Sequence, residues 1–151
     1  VVELILGGVR SGKSREARRI ECHRTDRPEA WQTIEESYLL SDRLPAESRP
    51  DHCLIVDRLT LWLNNWLLKG DEGYAAYVEE RHKLLAALAT LPGHTILVSN
   101  ETNQGVIPAS ALSRQFCDEA GQLHQSLAAI CDRVSLMVAG IAMDVKTKGD
   151  R

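Results

Sequence analysis

The chain alternates short apolar, β-branched runs with longer stretches of helical periodicity. Val1 to Leu6 reads VVELIL and stops at Gly7-Gly8, which predicts a strand buried on both faces. Cys53 to Val56, Thr95 to Val98 and Val134 to Val138 repeat the pattern, giving four candidate parallel strands. Helices are predicted from Ser14 onward, over Thr60 to Leu68, over Tyr74 to Thr90 and over Ala109 to Cys131. In the last, Leu112, Phe116, Ala120, Leu123 and Leu127 recur at spacings of three and four, which mark one helix face. Leu91-Pro92-Gly93 ends the helix before it, because Pro cannot continue a helix and Gly can turn it. Ser41 to His52, with Pro45 and Pro50, reads as a surface loop. Strands alternating with helices predict an α/β fold with a mainly parallel sheet flanked by helices. No repeat, low-complexity tract or long linker divides it, so residues 1–151 read as a single domain.

Composition narrows the function. With 44% hydrophobic and 26% charged residues the chain can build a core rather than remain disordered. A formal net charge of −3 offers no basic field for a nucleic-acid backbone, so a polynucleotide partner is not expected. No apolar run approaches the roughly 20 residues of a membrane span, and the first residues do not resemble a signal peptide. The four cysteines contain no CxxC pair, which suits free thiols in a reducing compartment and argues against structural zinc. A cytoplasmic protein is expected. The sequence begins at Val1 without Met, which leaves open a longer encoded chain.

Gly7-Gly8-Val9-Arg10-Ser11-Gly12-Lys13-Ser14 fits G-x-x-x-x-G-K-[ST] between a predicted strand and a predicted helix. Glycines allow positive φ and close backbone approach, so successive N–H groups and the helix N-terminus can surround phosphate oxygens. Lys13 would reach the β- and γ-phosphates, and the Ser14 hydroxyl would ligate Mg²⁺. The motif predicts a P-loop NTPase-like nucleotide site without specifying the reaction. Asp57 ends the run Leu54-Ile55-Val56, where a carboxylate can hold Mg²⁺ beside the loop; an Asp there also serves as a helix cap or turn residue. His23, with Arg24 and Arg27, combines a nucleophile for phosphorus with forks for phosphate oxygens, although on composition alone a histidine so placed is more often an ordinary surface residue.

Several motifs in fixed order resemble the bifunctional adenosylcobinamide kinase/adenosylcobinamide-phosphate guanylyltransferase family of cobalamin biosynthesis. They are the phosphate loop; Ile20-x-x-His23-Arg24-x-x-Arg27-Pro28-x-x-Trp31-x-Thr33-x-Glu35; Asp57-x-Leu59-Thr60-x-Trp62-Leu63-x-Asn65; Val98-Ser99-Asn100-Glu101; Gly105-x-x-Pro108; and Arg114-x-Phe116-x-Asp118-x-x-Gly121. The resemblance implies that His23 takes GMP from GTP as a covalent intermediate, and that nucleotide contacts fall on Gly7 through Ser14, Arg24, Thr25, Asp26, Arg27, Glu35 and Asp57. Glu35 also reads as an exposed helix acid, and Trp31 and Trp62 as packing aromatics. The resemblance further implies ATP and GTP as substrates, Mg²⁺, adenosylcobinamide and its phosphate as acceptors, and a homo-oligomer, a trimer.

The chain departs from that family at three places. The family has a further strand and loop between the phosphate-loop helix and the His-Arg motif, whereas here only Arg15 to Arg19 separate Ser14 from Ile20. A βαβ unit takes roughly 30 residues, so a strand's worth of chain near Ala17 and Arg18 is expected to be missing, with a fifth strand near the nucleotide. His124 stands where the family usually has Asn, and Arg58 where it often has Cys. Two other readings remain on the residues alone: a P-loop kinase of another small metabolite, and a regulatory GTPase. The second draws on Thr147-Lys148-Gly149-Asp150, which fits a guanine-reading pattern but reads as a solvated tail.

Overall fold

Strand β1 (Val2–Gly7) is the middle of the sheet, and its alternation of side chains divides the molecule into two cores. The computed structural model describes residues 1–22, 32–102, 105 and 107–149. The elements that follow are α1 (Lys13–Cys22), α2 (Leu40–Glu47), β2 (Cys53–Val56), α3 (Leu59–Leu67), α4 (Gly70–Leu88), β3 (His94–Asn100), α5 (Ala111–Ile130), β4 (Arg133–Val138) and β5 (Ile141–Lys146). They form a five-stranded sheet ordered β2-β3-β1-β4-β5, in which β5 alone runs antiparallel. Leu4 pairs with Leu97 on one side and Val134 on the other. These three face the larger core, with Leu59, Trp62, Leu63, Tyr77, Leu84, Leu123 and Leu127 from α3, α4 and α5. Ile5, Ile96, Val98 and Met137 face the opposite way and are covered by Ala17 and Ile20 of α1. Both Leu4 and Ile5 are therefore almost fully buried, as a strand without alternation requires.

The four predicted strands are present within a residue or two of their expected ends. Trp62 packs in the core edge-on to Tyr77, with its indole N–H donating to the Tyr38 carbonyl at 2.8 Å. Among the described residues no helix is long and apolar enough to cross a membrane.

Three features differ from the sequence reading. The expected loop over Ser41 to His52 is largely α2, with Pro45 inside it. Its apolar positions Leu40 and Leu44 are buried, and the Ser41 N–H and hydroxyl both donate to the buried carboxylate of Glu80, at 2.8 and 2.9 Å. Those contacts outweigh the helix-breaking tendency of one Pro. The helix α1 runs without a break through Ala17 and Arg18, because Ala17 and Ile20 give it an apolar face for the sheet. The fifth strand of the structure is β5, at the other end of the chain. It follows a two-residue turn in which Ala139 and Gly140 both have positive φ, at 50° and 81°. That is hairpin geometry without the Asn-Gly signature that makes such a turn readable. Thr147, Lys148 and Gly149 are exposed beyond it, and Asp150 lies outside the described residues.

Candidate functional site

The site is built at the carboxyl edge of the sheet, where β1 gives way to the phosphate loop. A Cβ at Gly7 would lie 2.9 Å from both the carbonyl oxygen and the Cβ of Met137, so the strand closes against β4 only with glycine there. Gly12 and Arg10 turn the loop with φ of 96° and 55°. The β4–β5 turn braces it from outside: the Gly140 N–H donates to the Ser11 carbonyl at 3.1 Å, and the Arg15 guanidinium reaches the Gly140 carbonyl at 3.5 Å. Ser11 Oγ is buried in the loop without a partner. Lys13 is buried, 8% exposed as a residue, and its ammonium donates to the Gly8 carbonyl at 2.6 Å. Burial lowers its pKa, partly opposed by the nearby Asp57 carboxylate. A buried ammonium bonded only to its own loop is poised to exchange that carbonyl for an anion.

The opposite wall comes from the β2–α3 junction. Asp57 follows β2, and its carboxylate oxygens lie 3.3 and 3.4 Å from Ser14 Oγ. Arg58 then adopts a left-handed conformation, φ 66° and ψ 56°, before α3 begins. For a residue with a Cβ this costs about 1–2 kcal/mol. Between the walls lies a cleft of about 740 Å³ lined by residues of the loop, Asp57, Arg58 and the first turns of α3. Arg10, Lys13, Arg15 and Arg58 line it against the single carboxylate of Asp57, a local positive field in a chain of net charge −3. The hydroxyl of Ser14 beside the carboxylate of Asp57 is a pair of hard oxygen donors suited to Mg²⁺, which takes few protein oxygens and fills its shell with phosphate oxygens and water. The arrangement can bind a polyphosphate and stabilise charge on a phosphoryl group in transfer.

Residues 16–145 match the model of the family described as cobinamide kinase / cobinamide phosphate guanyltransferase. The bifunctional adenosylcobalamin biosynthesis protein CobP of Pseudomonas aeruginosa is 45% identical, covering 95% of this chain and 96% of its own length. The chain belongs to the cobinamide kinase / cobinamide phosphate guanyltransferase family. The bifunctional adenosylcobalamin biosynthesis proteins CobU of Escherichia coli and of Salmonella typhimurium are each 33% identical, over 95% of this chain and 98% of theirs. Spans of 95% are too long to leave out Gly12-Lys13-Ser14 of the loop. The alignment with CobP runs over 169 residues against the 151 of this chain, so the relative carries residues that have no counterpart here.

Within this family framework, the structure brings together Val9, Arg10, Ser11, Gly12, Lys13, Ser14 and Asp57 at one cleft; Gly7 and Gly8 do not line it, but the Gly8 carbonyl accepts from Lys13 and Gly7 packs against Met137. Glu35 is exposed and is not among the residues that line it. His23, Arg24, Thr25, Asp26, Arg27 and Trp31 lie outside the described residues. The helix α1 that precedes them leads away from the loop for ten residues, about 15 Å, toward the amino edge of the sheet.

The cleft also contains residues that reading the sequence did not assign to it: Arg15, Thr60, Leu61, Asn64, Asn100 and Phe116. Thr60 and Asn64, four apart on α3, show a helix spacing that would have placed them on one face. Thr60, Asn100 and Phe116 are positions of the family motifs to which the resemblance assigns no role. Behind Asn100, the Ser99 hydroxyl lies 2.7 Å from Nε2 of His124. His124 is buried, which pushes its pKa down against an upward pull from Glu101, and its Nδ1 has no partner. His124 therefore ties α5 to β3 beside the cleft.

Proposed function

We propose that this chain, acting as a single kinase/guanylyltransferase domain, phosphorylates adenosylcobinamide with ATP or GTP and then transfers GMP from GTP to adenosylcobinamide phosphate, giving adenosylcobinamide-GDP. The observation that carries the reading is the pairing of Ser14 with Asp57 across from a buried Lys13, in a chain of this family. In the kinase step the acceptor hydroxyl attacks the γ-phosphorus of the triphosphate, and the nucleoside diphosphate leaves. Lys13 and the loop N–H groups hold the charge that builds on the phosphate oxygens. Bound Mg²⁺ would add charge neutralisation at the same oxygens, held by Ser14 and Asp57.

In the second step an imidazole nitrogen of His23 forms a bond to the α-phosphorus of GTP as the bond to pyrophosphate breaks. The guanylyl group then passes to a phosphate oxygen of adenosylcobinamide phosphate, and His23 is restored. Two in-line displacements replace one difficult reaction between hindered phosphates. Arg24 and Arg27 flank His23 in sequence and would offset the phosphate charge; Thr25, Asp26 and Glu35 complete the nucleotide contacts implied by family resemblance. The working form is a homo-oligomer, a trimer, in the cytoplasm, without a nucleic-acid partner. The extra length of the relatives is expected between the phosphate-loop helix and His23, and an intact mass well above 16.8 kDa would mean that the protein carries such a segment.

Incubation with α-labelled GTP and Mg²⁺ tests the covalent step. Acid-labile, base-stable label on the polypeptide, absent after His23→Ala, is the expected result. No label on the parent protein, or equal label on the variant, would overturn it. Formation of adenosylcobinamide phosphate from adenosylcobinamide tests the kinase step and separates it from a kinase of another metabolite or a regulatory GTPase.

A further inference from the structure

Arg58 has a backbone conformation and a charge that folding does not call for. It occupies the N-cap position of α3, where Ser, Thr, Asp or Asn would accept a hydrogen bond from the first helical N–H groups. A guanidinium cannot accept one, and no side-chain cap is made. The start of the helix is held instead by the carbonyl of residue 58, which accepts from the N–H groups of Leu61 and Trp62 at 2.9 and 3.3 Å. Glycine would supply that carbonyl equally well and would adopt φ 66° without a steric penalty. The Arg58 side chain is exposed, lines the cleft, and makes no ion pair or hydrogen bond within the described residues.

Its position bears on which phosphate it can meet. The loop amides surround the phosphates nearer the nucleoside, and Lys13 spans outward from the loop wall. Arg58 comes from the facing wall, next to the carboxylate that lies opposite Ser14. A cation there meets the outer end of a polyphosphate, and a guanidinium fork fits its oxygens in two bonds at any working pH.

We propose that Arg58 is a specificity-determining residue that reads the terminal phosphate and lets the cleft distinguish a nucleoside triphosphate from a diphosphate. The proposal rests on the reading of the cleft as the nucleotide site. In the kinase step Arg58 contacts the phosphoryl group in transfer; in the guanylyl step it contacts the outer phosphate of the leaving pyrophosphate. The left-handed backbone is retained at a cost to stability because it aims the cation across the cleft.

The test compares the parent protein with Arg58→Gly and Arg58→Lys by calorimetric titration with Mg²⁺ and either a non-hydrolysable GTP analogue or GDP, alongside thermal denaturation. Arg58→Gly is expected to raise Tm and to weaken the triphosphate analogue about 10- to 100-fold, with GDP affinity changed less than about twofold. Arg58→Lys should recover part of the triphosphate affinity. Since the Gly variant is expected to be more stable, its loss of affinity cannot be assigned to unfolding. Equal weakening of both nucleotides, or no weakening of either, overturns the proposal. Absence of cobinamide phosphorylation with intact triphosphate discrimination would count against the proposed activity and leave the role of Arg58 standing. Failure of the parent protein to bind either nucleotide would count against both.

Discussion

At the amino edge of the sheet, Glu3 Oε1 lies 2.9 Å from Nε2 of the buried His94, whose Nδ1 lies 3.6 Å from Cys53 Sγ. The Val2 N–H donates to the Asp132 carboxylate at 2.9 Å. At the carboxyl edge of the same strands, among the described residues, Lys13 bonds only to its own loop, Ser11 Oγ has no partner, and Arg10 and Arg58 have left-handed backbones. Among the described residues all the non-glycine positions with positive φ, Arg10, Arg58 and Ala139, lie at the carboxyl edge. These polar groups at the amino edge pair with one another and stabilise the fold, although the buried Thr95 Oγ1 there has no partner among the described residues. Those at the carboxyl edge remain available to a ligand, and the fold bears the strain of keeping them so.

The largest effect that could break this contrast belongs to Lys13. Lys13→Ala should lower kcat/KM for both transfer steps about 10²- to 10³-fold while leaving Tm nearly unchanged, because in the free protein the ammonium's bond to the Gly8 carbonyl is offset by its desolvation, whereas a phosphate would meet it with full opposite charge. Steady-state kinetics and a thermal melt decide it; a variant that loses activity through unfolding would make the carboxyl edge structural after all. Gly7→Ala should strike both properties. Its methyl group would meet the Met137 carbonyl oxygen and Cβ at 2.9 Å, costing about 1–3 kcal/mol in stability, and the shifted loop should bind Mg²⁺-GTP more weakly.

The amino edge should respond the opposite way. Glu3→Ala leaves Nε2 of a buried His94 without the carboxylate it now faces, a cost of about 1–3 kcal/mol, and at roughly 2–4 °C per kcal/mol this is readable as a fall in Tm. Affinity for Mg²⁺-GTP should stay within about twofold of the parent. A fall in nucleotide affinity without a fall in Tm would invert the contrast.

These two edges also differ in how far the sequence reveals them. The phosphate loop is legible because its chemistry is done by backbone N–H groups, which need glycine at fixed spacing and a strand and helix to either side. Asp57 is legible as the polar residue that ends an apolar run. The left-handed angle of Arg58 is not, since no arginine signals its own φ, and the cationic lining emerges only when Arg10, Arg15 and Arg58 converge from separate segments. Of the strands, β1 to β4 show as apolar runs, whereas every residue of β5 except Lys146 is exposed and its Ala139-Gly140 turn carries a weak signature. The helix α2 was hidden by Pro45, because its stabilising partner, Glu80, is 39 positions away from Ser41. Glu35 was joined to the nucleotide contacts only through the family resemblance; it is exposed and does not line this cleft, while the His-Arg motif it accompanies lies outside the described residues.

The smallest effect concerns His124, which combines features of both edges: it is buried and bonded to Ser99, yet one ring nitrogen is unspent. Burial holds its pKa below the usual 6.5, so the folded protein keeps the ring neutral while the unfolded chain takes up a proton as the pH falls past that value. The unfolded state then binds more protons, and stability rises with pH across this interval. The contribution is complete above about pH 6.5 and is lost as the pH falls toward the depressed value in the fold. Burial of Glu21 raises its pKa, and this acts with the opposite sign at lower pH, so the parent melt alone mixes the two. The comparison with His124→Asn, the residue that the family resemblance leads one to expect there, removes that common background. Between pH 7 and pH 5.5 the Tm of the parent should fall more steeply than that of the variant. Parallel slopes would mean that the imidazole is solvated in the folded protein, and the Ser99 contact would then no longer support a neutral, structural histidine behind Asn100.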